Sequence, residues 1–214
     1  INTQIQQWDG SKKTNSILIV SEQGLGDQIL YGSILNEIKE FSKKIYLLAD
    51  PKLVSLFKRT FPDYNIVSRE DFDNQKPIEN QKLLKDVESH IAIGSLGKFF
   101  RNKISDFKKF SKPYLIDDKK ITSNIKSKIK EKNKIICGIA WHSKNEDIGI
   151  NKSINLDLLS PILQNKNLKI INLQYGNISS LIENYNKKNI NKILEMPTID
   201  LTDDIDSSVS LIKN

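Results

Sequence analysis

The stretch Ser16-Ile17-Leu18-Ile19-Val20-Ser21-Glu22-Gln23-Gly24-Leu25-Gly26-Asp27-Gln28-Ile29-Leu30 decides the fold. Its first five residues form a run of aliphatic side chains with no polar alternation, the pattern of a strand buried on both faces. Two glycines follow, and then Ile29, Leu30, Ile34, Leu35 and Ile38 recur at three- and four-residue spacing, the stripe of an amphipathic helix. Strand, glycine turn and helix in that order make half of a parallel β-α-β unit. Glycines at the junction let the backbone turn sharply and approach a ligand, while the helix start offers N–H groups and positive potential. The pattern is neither a dinucleotide fingerprint, since the sixth position is Ile29, nor a Walker loop, since no Gly-Lys-Ser/Thr follows. Asp27 is placed either to cap the helix, contributing about 1 kcal/mol, or to act on a ligand. The junction leaves both open.

Working outward, the same alternation repeats. Lys44–Ala49 predicts a second strand, and Asp50-Pro51 opens a helix through Leu53, Leu56 and Phe57. Tyr64–Val67 and His90–Ile93 predict two more strands. The last runs into Gly94-Ser95-Leu96-Gly97, a structural turn or an anion site. Between Ser111 and Asn133 the character changes to a Lys-rich, helical segment, and a new series begins. Lys134–Trp141, Leu168–Leu173 and Ile193-Leu194 read as strands, and Leu156–Leu163, Ile178–Tyr185 and Asp203–Ile212 as helices. The expected fold class is α/β: one Rossmann-like domain over residues 1–117 and an incomplete second one over 118–214.

Composition bounds the function. The chain has 214 residues, 38% hydrophobic and 28% charged, which suits a folded globular protein. No apolar run reaches the roughly 18–20 residues of a membrane span, and no signal pattern opens the chain, so a cytoplasmic protein without a membrane span is expected. Ile1 in place of Met reads as a piece of a longer chain. The single Cys137 lies in an apolar run and reads as a small core residue, which leaves no disulfide framework. The net charge of +7 invites a nucleic-acid reading, yet only three of the 33 basic residues are Arg (Arg59, Arg69, Arg101). The dense Lys119–Lys134 stretch carries no aromatic residues for stacking. A solvated helix face therefore outranks a nucleic-acid patch.

Ligands of open α/β sheets collect outside the carboxyl ends of the strands. That rule selects Gly24, Gly26, Asp27, Gly94 and Ser95 in the first domain. In the second it selects Trp141, His142, Lys144, Lys152 and Ser153 after one strand, and Gln174 and Tyr175 after the next. Two lysines with hydroxyl groups between a strand end and a helix start suit a diphosphate, although each lysine alone reads as an exposed charge. Gln174 and Tyr175 supply an amide and a ring for a base or sugar. His90 and His142 have no second histidine beside them, so no metal site is expected.

Several of these segments, taken in order, carry a resemblance. They are Trp8-Asp9-Gly10, Glu22-Gln23-Gly24-Leu25-Gly26-Asp27, Gly94-Ser95-Leu96-Gly97-Lys98-Phe99-Phe100-Arg101, Tyr114-Leu115, Gly138-Ile139-Ala140-Trp141, Lys152-Ser153 and Asn172-Leu173-Gln174-Tyr175-Gly176. The chain resembles the glycosyltransferase region found behind tetratricopeptide repeats in bacterial proteins, related to the lipopolysaccharide heptosyltransferases. The resemblance implies a GT-B-like architecture, with the acceptor on the first domain and a nucleotide-sugar donor on the second. It implies an inverting, metal-independent enzyme with no cofactor, moving a sugar to a glycan or protein hydroxyl. Asp27 is then the general base, Gln23, Gly24, Gly26, Gly94 and Ser95 form the acceptor-side loops, and Trp141, His142, Lys152 (with Lys144 as the alternative), Ser153, Gln174 and Tyr175 hold the donor. The family continues past the point matching Asn214 with a donor-binding strand and an Asp…His-x-Ala-Gly segment, so the truncated chain need not be active alone. The rival expectation is a non-catalytic module of the same fold that binds a nucleotide, a glycan or a protein.

Overall fold

The computed structural model describes residues 5–22, 24–74, 85–107, 113–143 and 149–214. The chain divides into two compact units, Ile1–Ile116 and Asp117–Asn214, and each holds its own parallel sheet.

The first unit has five strands: β1 (Gln6–Gln7), β2 (Thr14–Val20), β3 (Ser42–Ala49), β4 (Asn65–Ser68) and β5 (Ser89–Ala92), in the order β1-β5-β2-β3-β4 and all parallel. The chain winds outward from β2 through β3 to β4, then returns to the other side of β2 for β5. This arrangement is compatible with a Rossmann-like sheet, and the direction reverses between β2 and β5. The apolar run explains why β2 is central. Leu18 and Val20 share one face with Tyr46, Leu48, Phe72 and Val87, while Ile17, Ile19 and Leu47 on the other face are also fully buried.

Helix α1 (Leu25–Gly32) follows β2 and α2 (Leu35–Ile38) follows it. The expected single stripe does not hold. Past Leu30 the backbone switches to tighter bonds, with Ser33 N–H to Leu30 O and Ile34 N–H to Tyr31 O, and the Ile29 carbonyl that an unbroken helix would offer Ser33 accepts from the Tyr114 hydroxyl instead. Ile34, Leu35 and Ile38 stay buried, but Leu30 is 63% exposed. Helix α3 (Val54–Thr60) opens from a 3-10 turn at Pro51–Leu53 capped by Asp50, as the Asp-Pro pair predicts. Helix α4 (Arg69–Asn74) follows β4 directly. After β5 come a 3-10 turn (Ile93–Leu96), α5 (Gly97–Phe100) and α6 (Ile104–Phe107).

The second unit begins with α7 (Lys119–Ile129). Asp118 caps it by accepting from the N–H groups of Lys120 and Ile121. Ile125 and Ile129, one turn apart, are buried, whereas Lys119, Lys120, Lys126 and Lys128 are exposed. The Lys-rich stretch is thus the wet side of an amphipathic helix. Three parallel strands follow in the order β6 (Ile135–Ile139), β7 (Leu168–Asn172), β8 (Ile193–Leu194). The predicted helix at 156–163 is a 3-10 turn (Leu156–Leu159) followed by α8 (Ser160–Leu163), with Pro161 in its first turn. Helices α9 (Ser179–Lys188) and α10 (Ile205–Lys213) complete the unit. One sheet face packs with Trp141, Leu163, Ile178, Ile182 and Tyr185, and the other with Ile125, Ile129 and Leu211. Cys137 is a half-buried free thiol packed against the first of these cores. Among the described residues no helix is long and apolar enough to cross a membrane.

Candidate functional site

In the first unit the loop after β2 lies at the carboxyl end of the central strand, where the winding reverses. It is anchored from beneath. Ser21 N–H donates to Leu48 O at 3.1 Å, Arg69 donates to Ser21 O at 2.9 Å, and buried Gln28 accepts from Asp50 N–H at 3.0 Å. Gly24 is the N-cap of α1, and no side chain caps this helix. Asp27 therefore does not fill the capping role left open by the sequence. It stands exposed in the first helical turn. Gly26 beside it has nothing within 4 Å of the position a Cβ would take. Gly94 and Ser95 lie half-buried in the turn after β5, against which α1 packs. Gly24 and Gly26 at the start of α1 and Gly94 and Ser95 in the turn after β5 thus stand on neighbouring segments past the carboxyl ends of β2 and β5, the end of an open parallel sheet where ligands collect. Gln23 lies outside the described residues, as does Lys144.

Two motifs quoted for the resemblance turn out to be scaffold. Trp8 is 4% exposed and packs its ring on Phe41, Phe99 and Phe100, with centroid separations of 5.4, 5.4 and 6.2 Å. Its indole N–H donates to Lys12 O at 2.8 Å. Gly10, at φ +81°, follows because a Cβ there would lie 2.0 Å from the Phe99 ring. Tyr114 donates its hydroxyl to Ile29 O and stacks on Phe61.

In the second unit the loop after β6 is tied at both ends. Gln174 Oε1 accepts from Trp141 N–H at 3.0 Å and His142 N–H at 2.8 Å. Ser153 Oγ accepts from Ser143 N–H at 2.9 Å and donates to Gly149 O at 2.7 Å. Ile154 N–H closes the loop onto Trp141 O at 2.9 Å. Gln174 is buried, and its Nε2 donates to Tyr175 O. Asn172 in turn holds Gln174 through its backbone N–H and C=O. The amide expected to meet a ligand is therefore engaged within the protein and positions the loop instead. Lys152 is exposed on the short turn Ile150–Lys152.

The predicted second-unit residues divide between two cavities. Gln174 and Tyr175 line one of about 410 Å³ at the carboxyl ends of β7 and β8, with Gly176, Ser179, Glu195, Met196, Asp200 and Thr202. Trp141 and His142 line another of about 620 Å³, with Asn155, Asp157, Asn177 and Lys188. The first has the better-mixed chemistry. Tyr175 is 43% exposed and offers a ring, Met196, Ile199 and Leu201 give an apolar wall, and the Glu195 carboxylate, which accepts from Ser179 at 3.1 Å, offers an acceptor for a diol. Glu195, Met196 and Asp200 were missed from sequence. Their one signal was position, directly after the short strand Ile193-Leu194. Among the described residues no three His, Cys, Asp or Glu side chains converge as a metal site.

No family model, curated protein or solved structure matches the chain.

Proposed function

We propose that the chain is a GT-B-like glycosyltransferase region that moves a sugar from a nucleotide-sugar donor to a hydroxyl acceptor, inverting and without a metal. The observation that carries this reading is the cavity of about 410 Å³ at the carboxyl ends of β7 and β8. It falls within the size range of small-molecule sites. Its ring, apolar wall and carboxylate match a nucleoside: a flat base, an apolar edge and a ribose diol. The exposed Asp27 at the switch point of the first unit supplies what transfer needs besides a donor.

In this reading Asp27 takes the proton of the acceptor hydroxyl as its oxygen attacks the anomeric carbon. The new C–O bond forms as the bond to the nucleoside diphosphate breaks, and configuration inverts in the single displacement. Lys152, exposed on the loop after β6, stabilises the departing diphosphate. Gln174 and Ser153 contribute by fixing that loop, and His142 flanks the same region.

A second reading has one observation in its favour. The described lining of the 410 Å³ cavity contains no Lys or Arg, which suits a module that binds a nucleoside or glycan without handling a diphosphate. Transfer separates the two. The protein is incubated with a panel of nucleotide-sugars and acceptors, and released nucleoside diphosphate is measured. Asp27→Ala is expected to lower turnover by about 100-fold or more while changing nucleoside diphosphate affinity less than about 2-fold. Undiminished turnover in Asp27→Ala contradicts the role given to that residue, and binding without turnover by the unsubstituted protein favours the module.

A further inference from the structure

Alongside α1 in the first unit runs a groove of about 510 Å³ whose lining includes Gly94 of the acceptor-side turn after β5. Leu30 and Tyr31, three and four residues beyond Asp27 on α1, line it on the helix face that carries the carboxylate, and Ile34 lines it just past the helix end. Gly97, Lys98 and Phe107 belong to the same lining. Leu30 and Phe107 are 63% and 62% exposed. Two large apolar side chains bordering one cavity are informative where a scattered pair is not.

Gly97 supplies an independent observation. Its φ of −54° is ordinary for a helix, so the backbone does not require glycine there. Nothing lies within 4 Å of a Cβ built on it, so packing does not require glycine either. A glycine at a helix start lowers stability relative to alanine. What its missing side chain provides is open space in the groove.

The polar chemistry of the groove is largely engaged within the protein. Ser33 donates to Leu30 O at 2.7 Å. Arg101 holds Glu37 at 2.6 Å in a pair with side chains 8% and 19% exposed, and also donates to Phe100 O. A bare sugar, which needs many hydrogen bonds, finds few donors or acceptors here. An apolar side chain fits the apolar lining, and exposed Lys98 offers a positive charge that complements a carboxylate carried next to that side chain.

We propose that this groove receives a polypeptide acceptor, a segment whose hydroxyl residue is flanked by apolar side chains with an acidic residue nearby. The proposal rests on the acceptor-side role given to Asp27. The hydroxyl lies at Asp27, a flanking apolar side chain runs along Leu30 toward Phe107, and the acidic residue meets Lys98.

The test titrates the 214-residue chain by calorimetry with a capped nonapeptide carrying serine between two leucines and an aspartate three positions away, with an alanine-flanked twin, and with vesicles of phosphatidylglycerol. The leucine peptide is expected to bind at least 10-fold tighter than its twin. Gly97→Leu and Phe107→Ala are each expected to weaken it at least 5-fold, while Gly97→Ala melts at the same temperature as the parent or higher. Equal affinity for the two peptides, undiminished binding by Gly97→Leu, or binding of vesicles in preference to peptide overturns the proposal. Titration of the same samples with ADP, UDP and GDP keeps the two readings apart. Nucleotide binding without peptide binding overturns the groove alone, and peptide binding without any nucleotide binding leaves the groove and overturns the transferase reading.

Discussion

Gln174 Oε1 is the acceptor for two consecutive backbone N–H groups, Trp141 and His142, across a separation of more than thirty residues. Truncation leaves both donors, one of them buried, without that acceptor, and an unsatisfied buried donor costs about 1–3 kcal/mol. Gln174→Ala is therefore expected to lower stability by that amount in urea unfolding and to speed hydrogen exchange at Trp141 and His142; an unchanged unfolding midpoint contradicts the latch. Glu88 shows how hydrogen bonds shift an ionisable group. The Asn15 side-chain amide, the Asn15 N–H and the Thr14 hydroxyl all donate to its carboxylate, at 2.7, 2.8 and 3.0 Å, and hold its pKa below the usual carboxylate value. A group whose pKa is lower in the folded state stabilises the fold above its unfolded pKa, about 4.3 for Glu. That contribution is lost as pH falls through the lower folded value. Glu88→Gln is expected to flatten the pH dependence of unfolding below about pH 4.3 relative to the parent, and equal slopes would falsify the assignment.

At the scale of elements, two glycines make opposite predictions. Gly10 turns the chain from β1 toward β2 at φ +81°, and a Cβ there collides with the Phe99 ring that packs on Trp8. Gly10→Ala is expected to cost about 2 kcal/mol or more. Gly26 lies in the first turn of α1 with open space beside it, so Gly26→Ala is expected to gain about 0.5–1 kcal/mol. Urea unfolding of the pair checks both, and destabilisation of the same size by each contradicts the distinction. The same elements show what sequence could reveal. Continuous apolar runs marked β2, β3 and β7 because strands covered on both faces leave no polar alternation to confuse the pattern. β1, two glutamines held by pairing to β5, had no pattern to read. Spacing puts Leu30 on one buried stripe with Ile38 because it assumes an unbroken helix, and the hydroxyl of Tyr114 held on Ile29 O is a tertiary fact. In the candidate site the strand end, glycine turn and helix start at Gly24–Asp27 were legible, because the apolar run and the glycines mark that junction directly. The site was not legible at Glu195–Thr202, a loop after a two-residue strand, nor in Gln174, whose residue type gives no hint whether it faces a ligand or its own backbone.

At the scale of the whole molecule, each unit is an α/β sheet that places its loops at the carboxyl ends of parallel strands, and the two carry different chemistry there. The first presents an exposed carboxylate beside glycines that leave room. The second presents a cavity with a ring, an apolar wall and a carboxylate. The division of labour is the central claim: nucleotide on the second unit, acceptor on the first. The most direct test is a titration of the uniformly ¹⁵N-labelled chain with ADP, UDP and GDP, followed by heteronuclear NMR. The account predicts saturable shifts for at least one nucleotide, confined to Gln174–Ser179 and Glu195–Thr202 together with the loop from Trp141 to Ser153. It also predicts at least 5-fold weaker binding in Glu195→Ala, and none of these shifts in Gly24–Asp27. Saturable shifts centred on Gly24–Asp27, or none at any nucleotide up to solubility, contradict it.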